Sequence, residues 1–98
     1  MRYVVKVMPR AARQMADAVA WLATHTPQTL EVFEVELDAV IESLSRFPER
    51  GALLGGGRYT RRWLMLARSE HLVVYRVLPR ARRVEILALW QARRGIRP

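Results

Sequence analysis

The sequence predicts an α+β domain of order β-α-α-β-β-β, in which a helical hairpin packs on one face of a mainly antiparallel four-stranded sheet. Two observations support this prediction: two long amphipathic helix patterns separated by a short break, and three strand patterns in close succession after residue 59. Because short connections between consecutive strands force antiparallel pairing, the last three strands should form a meander. Ninety-eight residues suffice for one core, so we expect a single domain covering residues 1–98.

The first half of the chain contains one predicted strand and both helices. Residues 2–8 are rich in valine and predict a strand, and Pro9 suits the first turn of a helix that runs to about residue 24. Thr26 and Pro27 mark the break before the second helix, with Thr26 as its N-cap. The core face predicted for the first helix comprises Ala12, Met15, Ala16, Val19, Leu22 and Ala23. The core face predicted for the second helix comprises Leu30, Phe33, Leu37, Val40, Ile41 and Leu44.

The second half begins with a loop and continues as strands. Phe47 and Pro48 end the second helix, and residues 51–58, which include three consecutive glycines, predict a loop. Strands are predicted over residues 60–67, 71–78 and 82–90. Period-two alternation makes both sheet faces apolar at the centre, and two helices cover only one face. The other face is then an apolar patch rimmed by arginine, which indicates a protein partner, the C-terminal tail or self-association as its cover.

That alternation assigns each strand residue to one of two faces. In the strand after the loop, Arg62, Leu64, Leu66 and Arg68 share one face, and Trp63, Met65 and Ala67 share the other. In the last strand, one face holds Val84, Ile86, Ala88 and Trp90, and the opposite face holds Glu85, Leu87, Leu89 and Gln91.

Positive charge is concentrated in the second half. Residues 46–98 contain thirteen arginines and three acidic residues, a formal charge of +10, whereas residues 1–45 carry −2. This distribution predicts a cationic surface for an anionic partner, and arginine grips phosphate or carboxylate in a bidentate manner. The chain has no cysteine, no apolar stretch long enough for a membrane span and no signal-peptide pattern, so we expect a cytoplasmic protein. Two separated histidines without clustered ligands predict no metal site, and no cofactor motif is present.

Several local patterns, taken in order, match a known family. They are the strand running into Pro9, the segment LSRFPERG at residues 44–51, Arg61 with Arg62, VVYRV at residues 73–77 and VEILALWQARRG at residues 84–95. On these segments the chain resembles the RelE/ParE superfamily of toxins from bacterial type II toxin–antitoxin systems. The resemblance spans about residues 3–95.

The resemblance implies a toxin neutralised by a cognate antitoxin, which we expect to be acidic. It offers two activities: RelE-like members cut mRNA on the ribosome, whereas ParE-like members bind DNA gyrase. Many relatives have a histidine directly after the tryptophan of the last strand, and this chain has Gln91, which cannot exchange a proton near neutral pH. The substitution favours a ParE-like gyrase inhibitor without catalytic residues. The alternatives are a ribosome-dependent mRNA endonuclease and a non-toxic, basic nucleic-acid-binding module.

Two groups of residues are predicted to carry the function. Arg62, Arg76, Arg93 and Arg94 are the predicted target- or phosphate-binding residues, and Trp90 and Gln91 are predicted to contact antitoxin or target. His71 is expected to be a turn histidine, and Tyr75 a core aromatic residue on the face opposite Arg76.

Overall fold

The computed structural model describes residues 2–55 and 60–92 of the chain. The two helices are α1 (Pro9–His25) and α2 (Pro27–Arg46). The strands are β1 (Val4–Val7), β2 (Ala52–Leu54), β3 (Arg61–Leu66), β4 (His71–Leu78) and β5 (Arg83–Gln91).

The strands form one sheet of order β1-β5-β4-β3-β2, in which β1 runs parallel to β5 and every other pair is antiparallel. The predicted fold class is therefore confirmed. The sheet has five strands where the sequence predicted four, because Ala52–Leu54 pairs with residues 61–63 inside the segment predicted to be a loop. Three residues are too few to display an alternating pattern, so this edge strand depends on its partner β3 and is not recognisable in the sequence.

The helical hairpin covers one face of the sheet and encloses the core. Both helices begin with a proline in their first turn, and Thr26 separates them. The Thr26 side chain makes no capping hydrogen bond; its carbonyl oxygen accepts the Thr29 and Leu30 N–H groups instead. The fully buried core side chains include Phe33 and Leu44 from α2 and Tyr75 and Ile86 from the sheet.

Met15, Val19 and Leu22 of the face predicted for α1 lie in or against the core, but the alanines of that face differ from the prediction. Ala11 is fully buried and Ala18 packs against the core, whereas Ala12, Ala16 and Ala23 are exposed. Alanines occur on every side of this helix, so their spacing alone cannot fix which side turns inward.

A β-bulge in β5 changes the orientation of its last residues. Val74 pairs with Ala88 while Tyr75 pairs with Ile86, so Leu87 is an extra residue on β5. Val84 and Ile86 face the helices as predicted, but beyond the bulge Leu89 faces them and Ala88 does not. The predicted shared face of Val84, Ile86, Ala88 and Trp90 is therefore wrong after Leu87, because strict alternation assumes a regular strand.

Candidate functional site

The sheet surface opposite the helices, termed the outer face below, has an apolar part made of two cross-strand rows. Trp63, Val74 and Ala88 are paired side by side across β3, β4 and β5, and so are Met65, Leu72 and Trp90. Paired residues of adjacent strands lie on the same face with their side chains in contact range.

Leu72, Val74 and Ala88 at the centre of these rows are buried, although the helices pack on the other face. Their larger neighbours Met65 and Trp63 remain partly exposed, Met65 by 42%. The outer face thus presents a compact apolar surface edged by large side chains. The C-terminal tail, one of its predicted covers, lies beyond Ala92 and outside the described residues.

The cationic part of the outer face is a third row across the same sheet. Lys6, Glu85, Arg76 and Arg61 are paired in succession from β1 to β3. Arg76 contacts one carboxylate oxygen of Glu85 through Nε at 2.7 Å and Nη2 at 2.6 Å, and Arg83 contacts the other oxygen at 3.1 Å. The Arg76 hydrogen bond, assisted by the charges of Arg76, Arg83 and Lys6, outweighs burial and lowers the pKa of Glu85 below its ordinary value. The ionised Glu85 carboxylate is therefore outnumbered by the three cations of the row and the adjacent Arg83, so this part of the outer face is positively charged.

Arg62 lies on the opposite face from Arg76, because it pairs with the buried Tyr75. Its guanidinium donates to the carbonyl oxygens of Glu49 at 3.0 Å and Gly51 at 2.8 Å. The Gly51 N–H donates to the Tyr75 hydroxyl at 2.8 Å. Arg62 consequently holds the segment between α2 and β2 against the sheet. Despite leaving opposite faces, Arg62 and Arg76 both line a cavity of about 300 Å³ at the start of β3.

Trp90 and Gln91 also point to opposite faces. Trp90 lies on the outer face in the row with Leu72, and the Arg10 guanidinium carbon lies 5.5 Å from its ring centroid, within cation–π range. Gln91 is paired with His71 and lines a second cavity, on the helix side, together with residues of α1. Arg93 and Arg94, the other predicted cations, lie outside the described residues.

His71 starts a strand as predicted, but it is buried and is not the turn histidine that was expected. It begins β4 with only 4% of its surface exposed, and its ring packs 4.9 Å from the Phe33 ring centroid. The sequence gives no sign that His71, which follows the charged Glu70, is buried, because the residue that covers it, Phe33, comes from the remote helix α2. Tyr75 is a buried core residue as predicted, and burial raises the pKa of its hydroxyl.

Sequence reasoning missed three cations of the outer face: Lys6, Arg61 and Arg83. Lys6 and Arg61 lie beside Glu85 and Arg76 only through strand register, which no single strand reveals. Arg83 lies two residues before Glu85 on β5, so alternation along that strand could have placed the two on one face. Within residues 2–55 and 60–92, no group of three or more His, Cys, Asp or Glu side chains is placed to hold a metal ion. Neither helix described is long and apolar enough to cross a membrane.

Comparisons with known proteins agree with the fold and the order of the segments. The family described as "ParE toxin of type II toxin-antitoxin system, parDE" matches residues 5–96. Among solved structures, the chain is similar to the archaeal RelE–RelB complex from Pyrococcus horikoshii OT3, with a TM-score of 0.55 and 20% sequence identity over 93% of this chain and 96% of that chain. No curated protein sequence matches significantly. The structural similarity, at this identity, concerns the fold alone, and the family match extends over nearly the whole chain. The chain belongs to the ParE toxin family and is a toxin of a type II toxin–antitoxin system.

Proposed function

We propose that this toxin acts by binding DNA gyrase through the outer face and the tail that follows it, without catalysing a reaction. The observation that supports this most is the composition of the outer face. Its described cations are lysine and arginine, and both histidines of the chain lie elsewhere: His71 under α2 and His25 at the end of α1. Such a surface binds anionic or carboxylate-bearing partners but offers no group that exchanges protons near neutral pH.

The remaining proton-exchanging groups near this surface are also poorly suited to RNA cleavage. Glu85 is held ionised by Arg76 and Arg83, and Tyr75 is buried with its hydroxyl engaged by the Gly51 N–H. Cleavage at the 2′-hydroxyl needs a base and an acid for the leaving oxygen. Gln91 supplies neither, and its side chain lies on the helix side. These features favour protein binding over nuclease activity, and a gyrase target places the protein in the cytoplasm.

A supercoiling assay tests the gyrase proposal. Purified toxin at micromolar concentration should inhibit gyrase supercoiling, and Arg93→Ala combined with Arg94→Ala should weaken the inhibition. Arg13→Ala, which removes one exposed charge from α1, is the matched control and should inhibit like the unaltered protein. Normal supercoiling in the presence of the unaltered toxin would exclude gyrase as the target.

A second candidate function is ribosome-dependent cleavage of mRNA, and one observation supports it. Arg62 and Arg76 line a common cavity with Thr60 and Glu49, and two guanidinium groups at one cavity suit a phosphate. Primer extension on translated mRNA after induction of the toxin would reveal codon-phased cuts if this activity exists. Their absence, with growth still arrested, would remove this candidate.

We further propose that the apolar part of the outer face binds the antitoxin. It combines a partly exposed Met65 and two tryptophans with the adjoining cationic row, which matches a partner segment of apolar residues next to acidic ones. Induction of the toxin alone should arrest growth, and co-expression of the antitoxin should restore it. Growth arrest that the antitoxin gene fails to relieve would contradict this pairing.

A further inference from the structure

Glu36 of α2 binds the turn that joins β3 to β4, residues 67–70. Its carboxylate accepts two consecutive backbone N–H groups, that of Arg68 at Oε2 and that of Ser69 at Oε1, each at 3.0 Å. Hydrogen bonds to an ionised acceptor are roughly twice as strong as neutral ones. Two such bonds to adjacent N–H groups fix the orientation of the turn as well as its distance from the helix.

The charge state of Glu36 agrees with this geometry. Burial raises the pKa of Glu36, but the N–H groups of Arg68 and Ser69, together with the Arg68 charge, outweigh burial and hold the pKa below its ordinary value. The carboxylate is therefore ionised at neutral pH and accepts at both oxygens. Phe33, three residues before Glu36 on the same side of α2, packs against His71 with the ring centroids 4.9 Å apart. The helix thus holds both the turn and the start of β4.

The far end of the turn holds the end of β5. The Glu70 carbonyl oxygen accepts the Ala92 N–H at 2.8 Å, and the Glu70 N–H donates to the Leu66 carbonyl oxygen at 2.8 Å. Glu70 has a φ of 60°, a left-handed conformation that a residue other than glycine keeps only where its surroundings enforce it. Ala92 directly precedes the C-terminal tail, residues 93–98. A path of hydrogen bonds therefore runs from α2 through the turn to the start of the tail.

We propose that Glu36 is a positioning residue for the C-terminal tail, because the turn that it holds supplies the carbonyl group that fixes Ala92. Without the Glu36 carboxylate, the N–H groups of Arg68 and Ser69 lose their acceptor and the turn gains freedom to move. The Ala92 N–H then loses a fixed partner in Glu70, and the direction in which the chain leaves β5 is no longer set. The effect on inhibition rests on the proposed function, in which the tail contacts gyrase: a tail whose start is fixed loses less conformational entropy on binding.

Amide hydrogen exchange, measured by NMR, tests the positioning without reference to any target. Glu36→Gln keeps the size of the side chain and removes one acceptor and the charge, so exchange of the Ala92 N–H should become roughly tenfold faster. The Leu89 N–H on the same strand is bonded to the Gln14 side chain at 2.9 Å and serves as an internal reference with an unchanged rate. The matched control Glu34→Gln, at an exposed position of the same helix, should leave both rates unchanged.

Two results would overturn the positioning role. One is an unchanged Ala92 rate in folded Glu36→Gln. The other is an equal acceleration at Ala92 and Leu89, which indicates a general loss of stability. Glu36→Asp, whose carboxylate is one methylene shorter, is a milder second variant to which the same criteria apply.

The supercoiling assay links the positioning to function. Glu36→Gln should inhibit gyrase roughly three- to tenfold less strongly than the unaltered toxin, and Glu34→Gln should inhibit equally. Faster exchange at Ala92 with undiminished inhibition would overturn the link between tail positioning and target binding. If the unaltered toxin leaves supercoiling normal, the gyrase proposal fails, whereas the exchange rate of Ala92 still decides the role of Glu36.

Discussion

Removing Arg76 should destabilise the protein more than removing the whole ion pair. The Glu85 side chain is 4% exposed and is held by Arg76 at 2.6 Å and Arg83 at 3.1 Å. Breaking a buried pair by deleting one partner costs roughly 3–5 kcal/mol, because the remaining charge stays buried. Arg83 still contacts Glu85 and the Arg76 side chain is 26% exposed, so we expect a lower cost for Arg76→Met, about 2–4 kcal/mol.

For a domain of this size, that loss corresponds to a fall in Tm of roughly 10–25 °C. The double variant Arg76→Met with Glu85→Met replaces the pair by apolar side chains of similar length. It should recover most of the lost stability, since no uncompensated carboxylate remains. Thermal and urea unfolding of both single variants and the double variant, followed by circular dichroism, complete a double-mutant cycle. A double variant no more stable than Arg76→Met, or an Arg76→Met cost below about 1 kcal/mol, would refute the reasoning.

Three further outcomes are expected at positions that the structure defines. Because the folded-state pKa of Glu85 is lowered, the stability that its carboxylate contributes is present above the unfolded-state pKa and is lost as pH falls through the folded-state pKa. In Glu85→Gln, the free energy of unfolding should therefore fall less steeply with decreasing pH below about pH 5. Urea unfolding at several pH values measures this slope, and a slope equal to that of the unaltered protein would contradict the prediction. Gly51→Ala places a Cβ 2.6 Å from the Tyr75 hydroxyl and 2.8 Å from the Trp63 carbonyl oxygen, so it should cost about 1–3 kcal/mol, and Tyr75→Phe should not rescue it fully. Met65→Asp should change stability by less than about 1 kcal/mol yet weaken antitoxin binding at least roughly tenfold by calorimetry, with Val35→Asp as the control.

The sequence predicts the fold well where one pattern governs a long segment. The face of α2 that includes Phe33 and Leu44 follows from a regular apolar spacing, and the structure buries both residues. Prediction is weaker where the deciding partner is remote in sequence. β2 exists only because β3 pairs with it, and the inward side of α1 depends on how the helix packs, since its alanines are spread around it.

The candidate site illustrates the same limit at the level of side chains. Alternation along single strands separates Tyr75 from Arg76, and the structure agrees. It does not reveal that Arg61 and Lys6 join Arg76 in one cationic row, because that relation needs the order and register of the strands. Nor does it reveal that Arg62 is occupied by backbone carbonyls of the segment after α2.

The bulge at Leu87 divides β5 into two segments whose side chains alternate in opposite phase. Residues 83–86 are fixed by β1 on one side and β4 on the other, whereas residues 88–91 follow with reversed facing. Deleting Leu87 would join Ile86 directly to Ala88 and restore regular alternation, so Trp90 and Gln91 should keep the faces they have and the Glu85 ion pair should stay in place. Because Leu87 stands outside the ladder, Trp90 and Gln91 lie on the faces opposite to those that strict alternation through Leu87 would give them.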